Sequence, residues 1–221
     1  GDGPDAAYLG IKGGRSAASH GHDDSGTFVF DDAGVRWAVD LGSNPYQAIE
    51  NTKINLWDNC AKEPMRWQVL RLSNRGHNVV TVDGRPFDNY GFADFSKTEF
   101  GKTTAMAALD LSHTYSRQTR SAVRTFTLDR ETHKLTITDA FEGLPAGSRV
   151  TWRLFTPAQA TVGPDGVALE QGGRRKMLAI KSASGEGAWT VCPANELRQE
   201  WDAPLDGLTA IDYVQTVPVD G

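Results

Sequence analysis

Cysteine is nearly absent. Cys60 and Cys192 are the two in 221 residues, far apart in the chain. A four-thiolate zinc site is therefore excluded, and the two are read as separate thiols, with pairing open only to an exported protein. Long apolar runs are missing as well. No stretch approaches the roughly 20 consecutive apolar residues of a transmembrane helix, and no signal peptide is visible. Positive charge is in deficit, with 23 Lys and Arg against 28 Asp and Glu, a net charge of −5. That argues against a broad phosphate-binding surface and hence against nucleic acid as a partner. It leaves room for a small basic cleft suited to an anionic substrate. There is no repeat of fixed period and no Pro- or Ser-rich linker, so residues 1–221 are read as a single domain. The chain opens Gly1-Asp2-Gly3 without an initiator Met, and is read as a processed protein or a piece of a larger one.

Helical periodicity is scarce, and strand patterning fills the space. Ala7–Ile11 reads as a first strand. Phe28–Phe30 and Val35–Val39 read as an antiparallel pair across the four turn-forming residues Asp31, Asp32, Ala33 and Gly34. Leu41–Pro64 is weakly periodic and broken by Gly42, Asn44 and Pro45, a long excursion suited to carrying functional side chains. Strand character is expected again at Trp67–Leu72 and Val79–Val82, with Arg85–Thr104 irregular between turns. From Ala107 the pattern is repetitive. Strands are predicted at Ala107–Tyr115, Ala122–Asp129, Lys134–Phe141, Arg149–Pro157, Ala160–Val162, Val167–Glu170, Met177–Lys181, Ala188–Cys192 and Ala210–Val217. Many strands with short polar turns predict an all-β fold, a large antiparallel β-sandwich.

Three pieces carry chemistry. The first is Ser19-His20-Gly21-His22-Asp23-Asp24-Ser25-Gly26, running into the first strand of the hairpin. The second is Asp40, closing the partner strand. The third is His77-Asn78, just ahead of Val79–Val82. The hairpin places His22 and Asp40 at the same end of one strand pair, where opposed Cα atoms lie about 4.5–5.5 Å apart. If the strand after His77 enters the sheet nearby, two imidazoles and a carboxylate converge. That set binds zinc with a fourth position open, and suits other divalent metals too. Asp24 either orients a ligand imidazole or stabilises its turn. Asp23 is expected in solvent. His113, on a regular strand, and His133, in a charged turn, are read as structural. Lys12, Arg15, Arg71 and Arg75 lie near these motifs and are candidates for an anion-binding groove. Trp37 and Trp67 are read as core, and Trp57 as open to core or to sugar stacking.

The ordered motifs Gly13-Gly14, His20 through Phe28, Trp37 through Gly42, Trp67 through Arg71 with Ser73, and His77-Asn78 with Val82-Asp83-Gly84 resemble the C-terminal β domain of the heparinase II/III-like polysaccharide lyases. The resemblance is clearest over residues 8–84. It implies a β-sandwich that follows a helical α/α toroid, with an anionic polysaccharide bound between them and the toroid absent from this chain. It implies a zinc ion held by His22, Asp40 and His77. It implies a substrate-facing His20, with Ser19 standing where the family often has Asn, and a catalytic Tyr on the excursion, for which Tyr46 is the candidate. Substrate contacts are expected from Ser19, Arg15 and Lys12. The activity implied is β-elimination in a uronic-acid polysaccharide such as heparin, heparan sulfate or alginate, in a periplasmic or secreted enzyme. On its own this piece is expected to be inactive. The competing expectation is a non-catalytic carbohydrate-binding or structural module whose metal only stabilises loops.

Overall fold

In a computed structural model, residues 3–57, 64–181 and 184–218 are described. Cys60 lies outside them, and with it the question of its pairing with Cys192. The strands form four antiparallel sheets around one apolar interior. The first joins β1 (Tyr8–Ile11), β2 (Phe28–Asp32) and β3 (Val35–Ala38) in sequence order. The turn between β2 and β3 is tighter than the sequence predicts. Asp32 pairs with Val35, so only Ala33 and Gly34 connect the strands, with φ of 54° and 75°. Positive φ at both central residues is the geometry whose twist matches that of the flanking strands.

The second sheet runs in the order β5 (Asp94–Phe100), β6 (Thr104–Asp110), β7 (Ser121–Asp129), β8 (Lys134–Glu142). The third interleaves distant segments: β13 (Gly187–Pro193), β14 (Thr209–Thr216), β9 (Arg149–Thr156) and β4 (Val80–Val82). The fourth is the meander β10 (Gln159–Gly163), β11 (Gly166–Gln171), β12 (Arg174–Leu178). Phe28 and Trp37 from the first sheet, Phe126 from the second, Leu154 and Ile211 from the third and Val167 from the fourth share one buried cluster. Burying a side chain of this size contributes about 1.5–3 kcal/mol. Among the described residues no helix is long and apolar enough to cross a membrane.

Three expectations fail locally. Residues 94–100, read as irregular, form strand β5, every residue of which is exposed. Trp67–Leu72, read as a strand, instead forms short 3-10 turns at Met65–Gln68 and Leu70–Leu72. Trp67, Val69 and Leu72 pack into a separate buried cluster with Ile49 and Leu56, and Leu70 into another with Leu41 and Phe155, so the run follows burial rather than sheet pairing. His113 lies beyond the end of β6, in the turn after it, with its ring stacked on Phe92 at 4.4 Å. Among its described residues, the excursion after β3 is irregular apart from the short helix α1 (Tyr46–Glu50).

Candidate functional site

Two buried side chains set the spacing of the histidine loops. The Asn78 amide donates to the carbonyls of Phe28 (2.8 Å) and Val39 (3.0 Å), and its oxygen accepts from the Phe155 amide at 2.7 Å. The Asn of the His-Asn pair therefore ties β2, the end of β3 and β9 together. Arg124, fully buried on β7, donates to the carbonyls of Gly26 (2.9 Å) and Asn78 (2.7 Å) and grips Asp139 with two further bonds. The loop that ends the first motif and the segment carrying His77 thus share one guanidinium. A buried guanidinium is tolerated because its charge is paired and its protons are used; the Asp139 carboxylate outweighs burial and holds its pKa above the ordinary value.

These ties bring His22 and His77 together, with ring centroids 5.4 Å apart. Possible ligand atoms of His22, Asp24 and His77 lie within 4.8 Å of one another. Asp40 Oδ2 sits 2.9 Å from His77 Nδ1. Burial opposes charge on Asp40, but the His77 contact, the nearby imidazoles and the Gly42 amide more than offset it, and its pKa falls to about 2. A carboxylate accepts only, so a neutral His77 keeps its proton on Nδ1 and turns its lone pair outward from Nε2. That Nε2 is sealed from solvent and has no hydrogen-bond partner among the described residues. His22 is held neutral: burial first, then the His77 charge, lower its pKa to about 4. Two imidazoles, one with an orphaned nitrogen, beside two carboxylates are the donor set a divalent cation such as zinc accepts. The residues fit such an ion.

Asp24 is buried and bridged to Lys12 Nζ at 2.5 Å. Asp23, expected in solvent, is wholly buried. It accepts from Ser16 Oγ (2.7 Å) and the Phe87 amide (2.9 Å), and burial lifts its pKa to about 6 against those bonds. It anchors the loop from inside.

His20 faces away from this cluster and is exposed. Its Nδ1 lies 3.3 Å from the Tyr46 hydroxyl, and the two rings are parallel within 6°. Trp57, 58% exposed, stands perpendicular to both, with centroids 6.1 and 5.4 Å away. Trp57 is thus not core, whereas Trp37 and Trp67 are buried. His20 holds a left-handed φ of 56°, uncommon for a side-chain-bearing residue. Ser19 and Arg15 are exposed on the same loop. A cavity of about 430 Å³ opens between the faces, with Lys12, His20, His22, Asp24 and Asp40 among its walls. Arg71 and Arg75 do not join it. Arg71 is spent on the carbonyls of Leu41 and Pro204, and Arg75 points at that of Gln68. The residue the sequence reading missed is Arg66, buried behind the His20 loop with Nη2 2.8 Å from the Gly21 carbonyl. Its partner is 45 positions away and no local pattern marks it.

A family profile described as heparinase II/III-like, C-terminal, matches residues 5–211. The chain belongs to this family. Among solved structures, the heparan sulfate lyase HepC from Pedobacter heparinus superposes with a TM-score of 0.68 at 15% identity, over 97% of this chain and 31% of that one. A heparinase III structure gives a TM-score of 0.62 at 15% identity, over 99% and 34%. The chain therefore spans about a third of the length of each. At these identities the likeness establishes a shared fold for this member of the heparinase II/III-like C-terminal family. No curated protein matches in a sequence search.

Proposed function

We propose that this chain is the metal-binding C-terminal domain of a polysaccharide lyase that cleaves a uronic-acid-containing polysaccharide by β-elimination. The observation that carries the reading is the division of one short loop. The His22 ring lies 5.4 Å from that of His77, whose Nε2 is orphaned among the described residues, while His20, two residues earlier, reaches the Tyr46 hydroxyl. The family membership and the heparan sulfate lyase named among the structural neighbours support it. In this reading an anionic chain such as heparan sulfate, another glycosaminoglycan or alginate lies over the outward face. An N-terminal helical domain of the same polypeptide covers it, in a periplasmic or secreted enzyme.

His22 and His77 would hold a zinc ion or a similar divalent cation, with Asp24 or Asp40 supplying a carboxylate. The ion's contribution is positive charge that fixes two imidazoles and with them the loop. Elimination removes the proton at C5, forms the C4–C5 double bond and breaks the C4–O bond, whose oxygen leaves with a proton. His20 and Tyr46 are this chain's share of that proton traffic, as hydrogen-bonded groups on the open face. Arg15 and Lys12 bring positive charge toward the uronate carboxylate and the enolate that develops from it.

The test is production of ultraviolet-absorbing unsaturated uronate by the full-length polypeptide from heparan sulfate, other glycosaminoglycans and alginate. His20→Ala and Tyr46→Phe should each lower kcat by about 100-fold or more, the usual contribution of a positioned acid or base. A polypeptide that releases no unsaturated product from any of these polymers sinks the lyase reading. Full activity in His20→Ala would favour the non-catalytic module instead.

A further inference from the structure

We propose that Arg66 is the positioning residue of His20; the inference rests on the lyase reading above. Arg66 is 4% exposed, and its guanidinium lies 5.0 Å over the Trp67 ring. Nη2 donates to the carbonyl of Gly21, the residue between His20 and His22. On the other side of His20, Nδ1 meets the Tyr46 hydroxyl at 3.3 Å. Arg66 thus holds the backbone immediately after the imidazole that reaches Tyr46.

Two further observations give the clamp something to hold. His20 sits at a φ of 56°, a conformation that persists only where surroundings enforce it. Gly21, next in the chain, is wedged so tightly that an added Cβ would stand 2.4 Å from the Ser16 carbonyl oxygen. The His20–Gly21 segment is therefore pinned from one side by packing and from the other by Arg66. A buried guanidinium is costly unless its donors are used, and here one of them orients the carbonyl next to His20. Planar, forked donors do this, and a lysine's single ammonium does it less completely.

The experiment is a double-mutant cycle in the full-length polypeptide. Arg66→Met should lower kcat by about 10- to 100-fold, the effect of misplacing a reacting group by an ångström, with KM changed less than about threefold. Arg66→Lys should recover part of kcat. In a His20→Ala background, Arg66→Met should cost little more, because its effect runs through His20. Wild-type kcat in Arg66→Met overturns the proposal, and so does an equal, additive loss in the His20→Ala background. If Arg66→Met does not fold, the cycle is run with Arg66→Lys and the same two outcomes decide. Absence of unsaturated product from the wild-type polypeptide is a different result: it removes the lyase reading and the positioning role with it.

Discussion

His77 presents one ring nitrogen to Asp40, 2.9 Å away, and the other to no partner among the described residues. A buried, unpartnered imidazole nitrogen costs about 1–3 kcal/mol, and a cation in front of it removes that cost. Elemental analysis of the polypeptide purified without chelator should find about one equivalent of zinc or a similar metal. His77→Ala should abolish it. Asp40→Asn, which keeps the shape but weakens the ring's orientation, should lower metal affinity about 10- to 100-fold. Metal-free wild-type protein under these conditions would remove the site.

Gly21→Ala should separate site geometry from stability. The new methyl would meet two backbone oxygens, Ser16 at 2.4 Å and Ala18 at 2.9 Å. Backbone cannot step aside as a side-chain tip can, so the His20 loop must shift. Turnover by the full-length polypeptide should fall by about 100-fold, and metal content measured on the same sample should fall with it, since His22 follows Gly21 directly.

Arg124→Met should cost about 3–5 kcal/mol in denaturant unfolding, the range for breaking a buried ion pair from one side. It strands Asp139 and leaves the carbonyls of Gly26 and Asn78 without their shared donor. A cost below about 1 kcal/mol, the scale of an exposed pair, would mean that the carbonyls find other partners.

Acid should weaken the fold partly through Asp32. This buried carboxylate accepts from His133 at 2.7 Å and sits 2.6 Å from Lys176 Nζ, joining the first sheet to the β7–β8 turn and to β12. Burial opposes its charge, but the bonds from His133 and Lys176 prevail and hold its pKa below 3.8. A carboxyl whose folded pKa is depressed contributes stability that is fully present above its unfolded pKa. That contribution is lost as pH falls below 3.8 and through the folded value. Asp32→Asn should lower stability at pH 7 and flatten the decline in stability as pH falls below 3.8. An unchanged acid slope in chemical denaturation would exclude this cluster as a contributor.

Much of the sandwich was legible because half-buried strands alternate. Ser121–Asp129 alternates without a break between intermediate and buried positions, and the sequence predicts it almost to the residue. Asp94–Phe100 carries no such signal, since neither of its faces meets the interior. Trp67–Leu72 shows the opposite failure: a continuous apolar run cannot say whether turns or a ladder bury it. At the site, the hairpin argument and the family resemblance together led to His22, Asp40, His77 and His20, which the structure places in two adjoining groups. Asp23 was misread because an acidic residue beside a turn ordinarily faces water, and only tertiary contacts with Ser16 and Phe87 make its burial tolerable. Arg66 carries no local mark of its hydrogen bond, because the Gly21 carbonyl that it reaches lies 45 positions away in the chain.

The guanidinium of Arg124 reaches from β7 to the residue that closes one histidine loop and to the residue that follows the other histidine. The distance between those loops is therefore a dimension of the scaffold, set from beneath by a side chain that never meets the cavity. Substitutions on the open face leave that span undisturbed, because the gauge that spaces the two loops is kept beneath them.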